Sequence, residues 1–159
     1  MNELELIRSQ LRVERERVSD VARACAAAGA TEGLRQAGVE YLVFVLTRFD
    51  ERDQRLAEQP SAAPTSLEQI ISRGGSSREA LAKLAAATTG GSASDRWGAF
   101  AEFCDGPWRL RRDAIDALQQ TNLRIADWRA VSFVDADSIL EERTRYANVQ
   151  AKLPRTTSV

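Results

Sequence analysis

The chain has 159 residues, 43% hydrophobic and 28% charged, and its 22 basic and 23 acidic side chains leave a net charge of -1. That is the composition of one globular domain with its own core; it excludes a disordered chain and removes the electrostatic case for a nucleic-acid or anionic-membrane partner. There is no histidine, which excludes Ser-His-Asp and Cys-His catalysis and every histidine-ligated metal or haem site.

The first residues, Asn2-Glu3-Leu4-Glu5, are charged and lack a signal-peptide core, and no apolar run approaches the roughly 18 residues of a membrane span. Two cysteines, Cys25 and Cys104, are too few for a disulfide framework and are read as reduced core residues. The expected compartment is therefore the cytoplasm.

Residues 3–28 read as a first long helix, with Leu4, Ile7, Leu11, Val18, Val21 and Cys25 spaced by threes and fours along one seam. The seam position between Leu11 and Val18 is Glu14, a charge among apolar neighbours, and Gly29 is the expected stop. Thr31 caps a second helix that reaches Glu58 ahead of Pro60, with Leu34, Gly38, Tyr41, Leu42, Val45, Phe49 and Leu56 on its apolar face. That rhythm falters at Arg48, Arg52 and Asp53.

Residues 59–94 are rich in Gly, Ser, Pro and Ala and read as a crossover, not a second domain. Capping boxes at Thr65–Glu68 and Ser76–Glu79 start short helices over about 66–73 and 77–88. From Ser94 the seam resumes through Trp97, Phe100, Cys104, Trp108, Ile115 and Leu118; Gly106-Pro107 predicts a break, with a fresh helix from Pro107. Arg109, Arg111 and Arg112, adjoined by Asp113 and Asp116, read as a solvated face. A last helix is expected over about 127–152, burying Val131, Ile139, Tyr146, Val149 and Leu153, with Glu142 a second carboxylate on the seam and 154–159 a tail. The expectation is a single all-α domain over 1–153, an up-down four-helix bundle with extra short helices between helix 2 and the later helices.

Two segments carry a family resemblance. In the last helix Trp128, an apolar Phe133 and Asp137 stand at the spacings of the hemerythrin family, with Ser132 in place of its histidine. In the second helix Phe49 is kept, while Arg48 and Arg52 stand at the family's His and Glu positions; the first-helix histidine would fall near Glu14-Arg15. The chain thus resembles a hemerythrin-like bundle whose ligands are largely lost. The resemblance implies no di-iron centre and no oxygen carriage, and Asp137 is the one matched ligand that survives.

The candidate network is Glu14, Arg15, Arg48, Arg52, Asp53, Ser132, Asp137 and Glu142, in which guanidinium charge replaces metal charge. It assigns no catalytic residue, metal or cofactor and points to a binding or regulatory module for a small anion or protein; a homodimer is compatible with the helix faces. Two alternatives stand beside it. Glu14, Asp53, Asp135 and Glu142 could form a carboxylate-only metal-dependent hydrolase, or Arg48 and Arg52, four residues apart, could bind a small anion.

Overall fold

A computed structural model describes residues 2–58, 76–89, 93–122 and 134–154, and among them every regular element is helical. In chain order these are α1 (Glu3–Ala26), α2 (Glu32–Glu58), α3 (Ser77–Thr88), α4 (Ala93–Phe103), a π-helical turn (Cys104–Trp108), α5 (Arg109–Asn122) and α6 (Ala136–Lys152). No helix of the described residues is long and apolar enough to cross a membrane. The expected short helix over 66–73 and the segment carrying Trp128, Val131 and Ser132 lie outside the described residues.

Local chemistry sets most helix ends. Asn2 caps α1 by accepting from the Glu5 N–H at 2.8 Å, and Glu5 accepts in return from Asn2, which closes a capping box. Helix α1 stops at Ala26, with an extended Ala27 as its C-cap, so the terminator is not the expected Gly29. Thr31 Oγ1 accepts from the Leu34 N–H at 3.1 Å and starts α2 as expected. Ser76 caps α3 through the Glu79 N–H. The C-terminal carbonyls of α3 are met by Arg96 from α4, which donates to Ala86 O and Thr89 O, a cation where the helix dipole is negative.

Two expected boundaries are corrected. Gly106-Pro107 does not end a helix: the chain runs from α4 into α5 through the π-turn. Pro107 has no N–H to offer the helical ladder, and the wider turn absorbs that gap while Trp97, Phe100, Cys104, Trp108 and Ile115 all stay buried. Ser19 Oγ, from α1, donates to the Cys104 carbonyl at 3.5 Å. The last helix starts at Ala136, not near 127. Asp135 is extended (φ -130°, ψ 171°) and caps it by accepting from the Ser138 N–H at 2.7 Å. Leu153, expected inside, is exposed.

Helix α1 packs on α2 and α4, α3 packs on α2 and α4, and α6 lies along α2 with a smaller contact to α1. Directions follow from who meets whom. Cys25 faces Leu34 while Glu14 faces Arg52, so α1 and α2 are antiparallel. Arg78 reaches Asp50 while Ala87 shares a cleft with Gln36, so α3 runs back along α2. Asp105 of the π-turn meets Arg23 and Asp116 of α5 meets Arg15, so the chain from the π-turn into α5 runs antiparallel to α1. Where α1 crosses α2, Gly38 lets the backbones close: a Cβ there would overlap Cys25 Sγ.

The apolar core draws on α1, α2, α3, α4, the π-turn and α6, from Ile7, Leu11, Val18 and Val21 through Leu34, Leu42, Val45, Leu46 and Phe49 to Leu84, Trp97, Phe100, Trp108 and Val149. Phe49 meets the edge of Trp108 at 5.3 Å between ring centroids, and Trp108 Nε1 donates to Ser77 Oγ at 3.2 Å, which satisfies the buried indole. Both cysteines are buried and reduced. Burial pushes the Cys25 thiol up to about 11 and raises Cys104 as well.

Candidate functional site: a chain of buried ion pairs

Glu142 is the centre of the first cluster. It sits on α6, 1% exposed, and points into the groove between α1 and α2. Tyr41 of α2 donates to Oε2 at 2.7 Å, Gln10 of α1 donates to Oε1 at 3.3 Å, and Arg17 Nη1 donates to both oxygens at 2.8 and 2.9 Å. Tyr146, one turn on, stacks beneath the same groups, with the Arg17 guanidinium 4.2 Å from its ring centroid and the Tyr41 ring at 5.6 Å. Burial and the Glu142 charge raise the Tyr41 phenol, which stays a neutral donor. Burial works against the Arg17 charge, but Glu142, joined by Tyr41 and Tyr146, opposes it and Arg17 is raised.

Gln10 links this cluster to Glu14, one turn along α1, whose carboxylate lies 3.5 Å from Arg52 Nη1 of α2. Both partners are nearly sealed, at 3% and 2% exposed. Desolvation raises the Glu14 carboxyl; Arg52 opposes that shift and the neighbouring Glu142 charge adds to it. Desolvation lowers Arg52, opposed by Glu14. Each destabilises less in company than alone, which is the condition under which buried charges persist.

The second cluster lies beyond Phe49. The Arg52 and Arg112 guanidiniums flank that ring, 5.0 and 4.7 Å from its centroid. Asp53 accepts from Arg111 Nη1 at 2.9 Å and also from Arg112. Arg112 reaches on to Asp116 at 3.4 Å, and Arg15 of α1 closes the group with Asp116 at 2.6 Å and Asp113 at 3.0 Å. Desolvation raises Asp116, with Arg112 and Arg15 opposing. The expectation that Arg111 and Arg112 form a solvated face is therefore overturned: both are buried, because Asp53 supplies a carboxylate inside the bundle.

Of the expected site residues, Glu14, Arg15, Arg52, Asp53 and Glu142 fall into these two clusters. Arg48 is half-buried one turn before Arg52, at a groove of 520 Å³ between α2 and α6 that it lines with Phe44, Thr47 and Arg145. Arg48 and Arg52 thus do not share a solvent-facing site. Asp137 stands exposed in the first turn of α6, away from Glu142, and Ser132 lies outside the described residues. Asp135, weighed as a metal carboxylate, is instead the α6 cap, and its hydrogen bonds from Ser138 lower its pKa. Among the described residues no three Cys, Asp or Glu side chains converge to hold a metal ion. The residues present do not fit the di-iron centre that the resemblance would imply: Arg48 and Arg52, where it would place two ligands, carry guanidinium groups, and Asp137 faces solvent.

The sequence pattern misses Gln10, Arg17, Tyr41 and Asp116. Tyr41 reads as one more apolar seam residue, and Arg17 as an ordinary flank. The available signal is the spacing of four that joins Gln10 to Glu14 and Arg112 to Asp116, each placing a polar pair on the inward side of a helix.

No protein-family model matches the chain, no curated protein matches it, and no solved structure matches it. Function is therefore read from the site itself.

Proposed function

We propose that the protein is a non-catalytic binding or regulatory module, an up-down helical bundle whose interior is organised by ion pairs and not by a metal. The observation that carries this reading is the commitment of its buried carboxylates. Glu14 pairs with Arg52, Glu142 takes donors from Gln10, Arg17 and Tyr41, and Asp53 takes two guanidiniums. A carboxylate-only centre would need these same oxygens turned towards one cation. A charged donor aimed at the oxygens repels such an ion, which weighs against the hydrolase alternative.

The kinship with a hemerythrin-like four-helix bundle belongs to the same proposal. Arg52, at a resembled ligand position, is paired with Glu14, one of the two residues (Glu14-Arg15) near which the first-helix ligand would fall, and this pairing supports charge replacement at such a site. Asp137 does not join it. Arg48 sits at the groove beside Arg145, both guanidiniums within 5.8 Å of the Phe44 ring centroid, and this is where a small anion would meet the surface.

The test is metal content of the protein purified without chelator, followed by titration with Mg²⁺, Mn²⁺ and Zn²⁺ and by thermal melts with and without EDTA. Sub-stoichiometric metal, no saturable heat and unchanged melts are expected. Near-stoichiometric metal whose removal lowers the Tm would overturn the reading in favour of the hydrolase.

A further inference from the structure

Helix α6 is held to the bundle differently from its neighbours. Of its 17 residues only Glu142 and Val149 are buried, whereas the shorter α3, with 12, buries Ala80, Leu84, Ala87 and Ser77. Leu140 is exposed, and Tyr146 is only half-buried. Although α6 lies along α2, fewer of its side chains are fully buried than of α3's, and elements with few fully buried side chains open locally at a free energy below that of global unfolding. Its one buried charge is a carboxylate met by three donors from two other helices, Gln10 and Arg17 on α1 and Tyr41 on α2, beside the packing of Tyr146 and Val149 and a 3.5 Å bond from Arg145 to the Glu40 carbonyl.

We propose that the groove between α1 and α2 is a helix-docking site that reads one buried carboxylate, and that α6 is its releasable, intramolecular occupant. The partner helix it fits carries a glutamate, an aromatic residue four positions on and a β-branched aliphatic three beyond that, the pattern of Glu142, Tyr146 and Val149. Charge complementarity sets the specificity. Arg17 offers its guanidinium edge to the carboxylate and its face to the aromatic ring, so both features must arrive at helical spacing. This deepens the binding-module reading and rests on it, but the metal titration is indifferent to whether α6 moves.

The experiment compares the full-length wild type with Glu142→Gln by hydrogen exchange, reading α6 separately from α1, α2 and α3. In this variant an amide NH₂ replaces one acceptor oxygen and meets the Arg17 donor, while the side-chain volume is kept. The α6 amides of the wild type should exchange at least about ten-fold faster than those of α1 and α2, and Glu142→Gln should accelerate α6 alone by about a further ten-fold. A labelled peptide spanning 136–152 should then bind the full-length Glu142→Gln protein saturably by anisotropy, and the same peptide carrying that substitution should bind at least about ten-fold more weakly. If Glu142→Gln does not fold, Tyr41→Phe removes one donor and serves the same comparison. Exchange of α6 in step with α1 and α2, acceleration of every helix alike, or equal binding of the two peptides would each overturn the proposal.

Discussion

Arg52 and Asp53 are sequence neighbours of opposite charge that do not pair with each other: one turns to Glu14 on α1, the other to Arg111 and Arg112 on α5. Two consecutive positions of a helix diverge by about 100°, so a single step along α2 feeds two clusters on different neighbours. Phe49, one turn earlier, lies between them with a guanidinium from each within 5.0 Å of its ring centroid. The interior of this bundle is thus held in register by charges that each have a designated opposite, and exchanging partners would require rotating a helix.

Asp53 should be the costliest single charge to remove. Its loss leaves Arg111 and Arg112 buried beside each other, and Asp53→Ala is expected to destabilise by about 3–5 kcal/mol, the range for breaking one side of a buried pair. Replacing Asp53 with both of its partners, as Asp53→Leu, Arg111→Met and Arg112→Met together, should cost less than the single change, because no guanidinium is left stranded and Asp116, which loses Arg112, keeps Arg15 at 2.6 Å. Urea denaturation of both variants decides this; a triple variant weaker than the single would show that the ion pairs themselves hold the fold together.

The pH response of Glu14 has an unusual sign. Its carboxyl is raised in the folded state, chiefly by desolvation, so the native protein binds that proton more tightly than the unfolded chain. Glu14 therefore favours folding most at pH below the ordinary carboxylate value, and that contribution is lost as pH rises through the raised folded value. Asp135 runs the other way: its folded pKa is lowered by Ser138, so its contribution is present above the ordinary value and lost as pH falls through the folded one. Glu14→Gln should flatten the decline in stability on the neutral side and leave the acid limb in place, and Asp135→Asn should flatten the acid limb. Stability measured from about pH 3 to about pH 9 checks both, and an unchanged neutral-side slope in Glu14→Gln would refute the assignment.

The helices are legible in the sequence because seam and cap signals agree: Thr31, Ser76 and the threes and fours of α1, α2 and α4 lead to the elements observed. Glu14 and Glu142 stand out as carboxylates inside apolar rhythms, and both are buried. Arg111 and Arg112 do not, because their burial depends on Asp53, 58 and 59 residues away in sequence. No local pattern encodes a partner at that distance. Pro107 misleads for the opposite reason: local chemistry favours a break, and tertiary packing of Cys104 and Trp108 on either side carries the helix through as a π-turn.

Neither thiol should react while the protein is folded. Cys25 and Cys104 are fully buried, and Cys25 is pushed up to about 11, so near neutral pH little thiolate is formed and none is accessible. Labelling by a neutral alkylating reagent should follow the unfolding transition in urea at both sites. Modification of either cysteine in the native baseline, at a rate independent of global stability, would show that the α1–α2 or α1–α4 contact opens locally.

Gly38 tests how closely α1 and α2 must approach. A Cβ at this position meets Cys25 Sγ on the facing wall of α1, with Val21 beside it, so the contact cannot be relieved by swinging a long side chain aside. Gly38→Ala gains helix propensity worth about 1 kcal/mol, yet overpacking costs about 1–3 kcal/mol, and the net effect should be destabilising. Cys25→Ala removes the obstructing sulfur, at the expense of a small cavity. In the double variant the two changes should compensate, giving a favourable coupling of about 0.5–3 kcal/mol. Denaturation midpoints of the wild type, the two single variants and the double variant complete the cycle. Additive effects would mean that α1 and α2 move apart to admit the methyl group, and that the Tyr41–Glu142 bond further along α2 tolerates the shift.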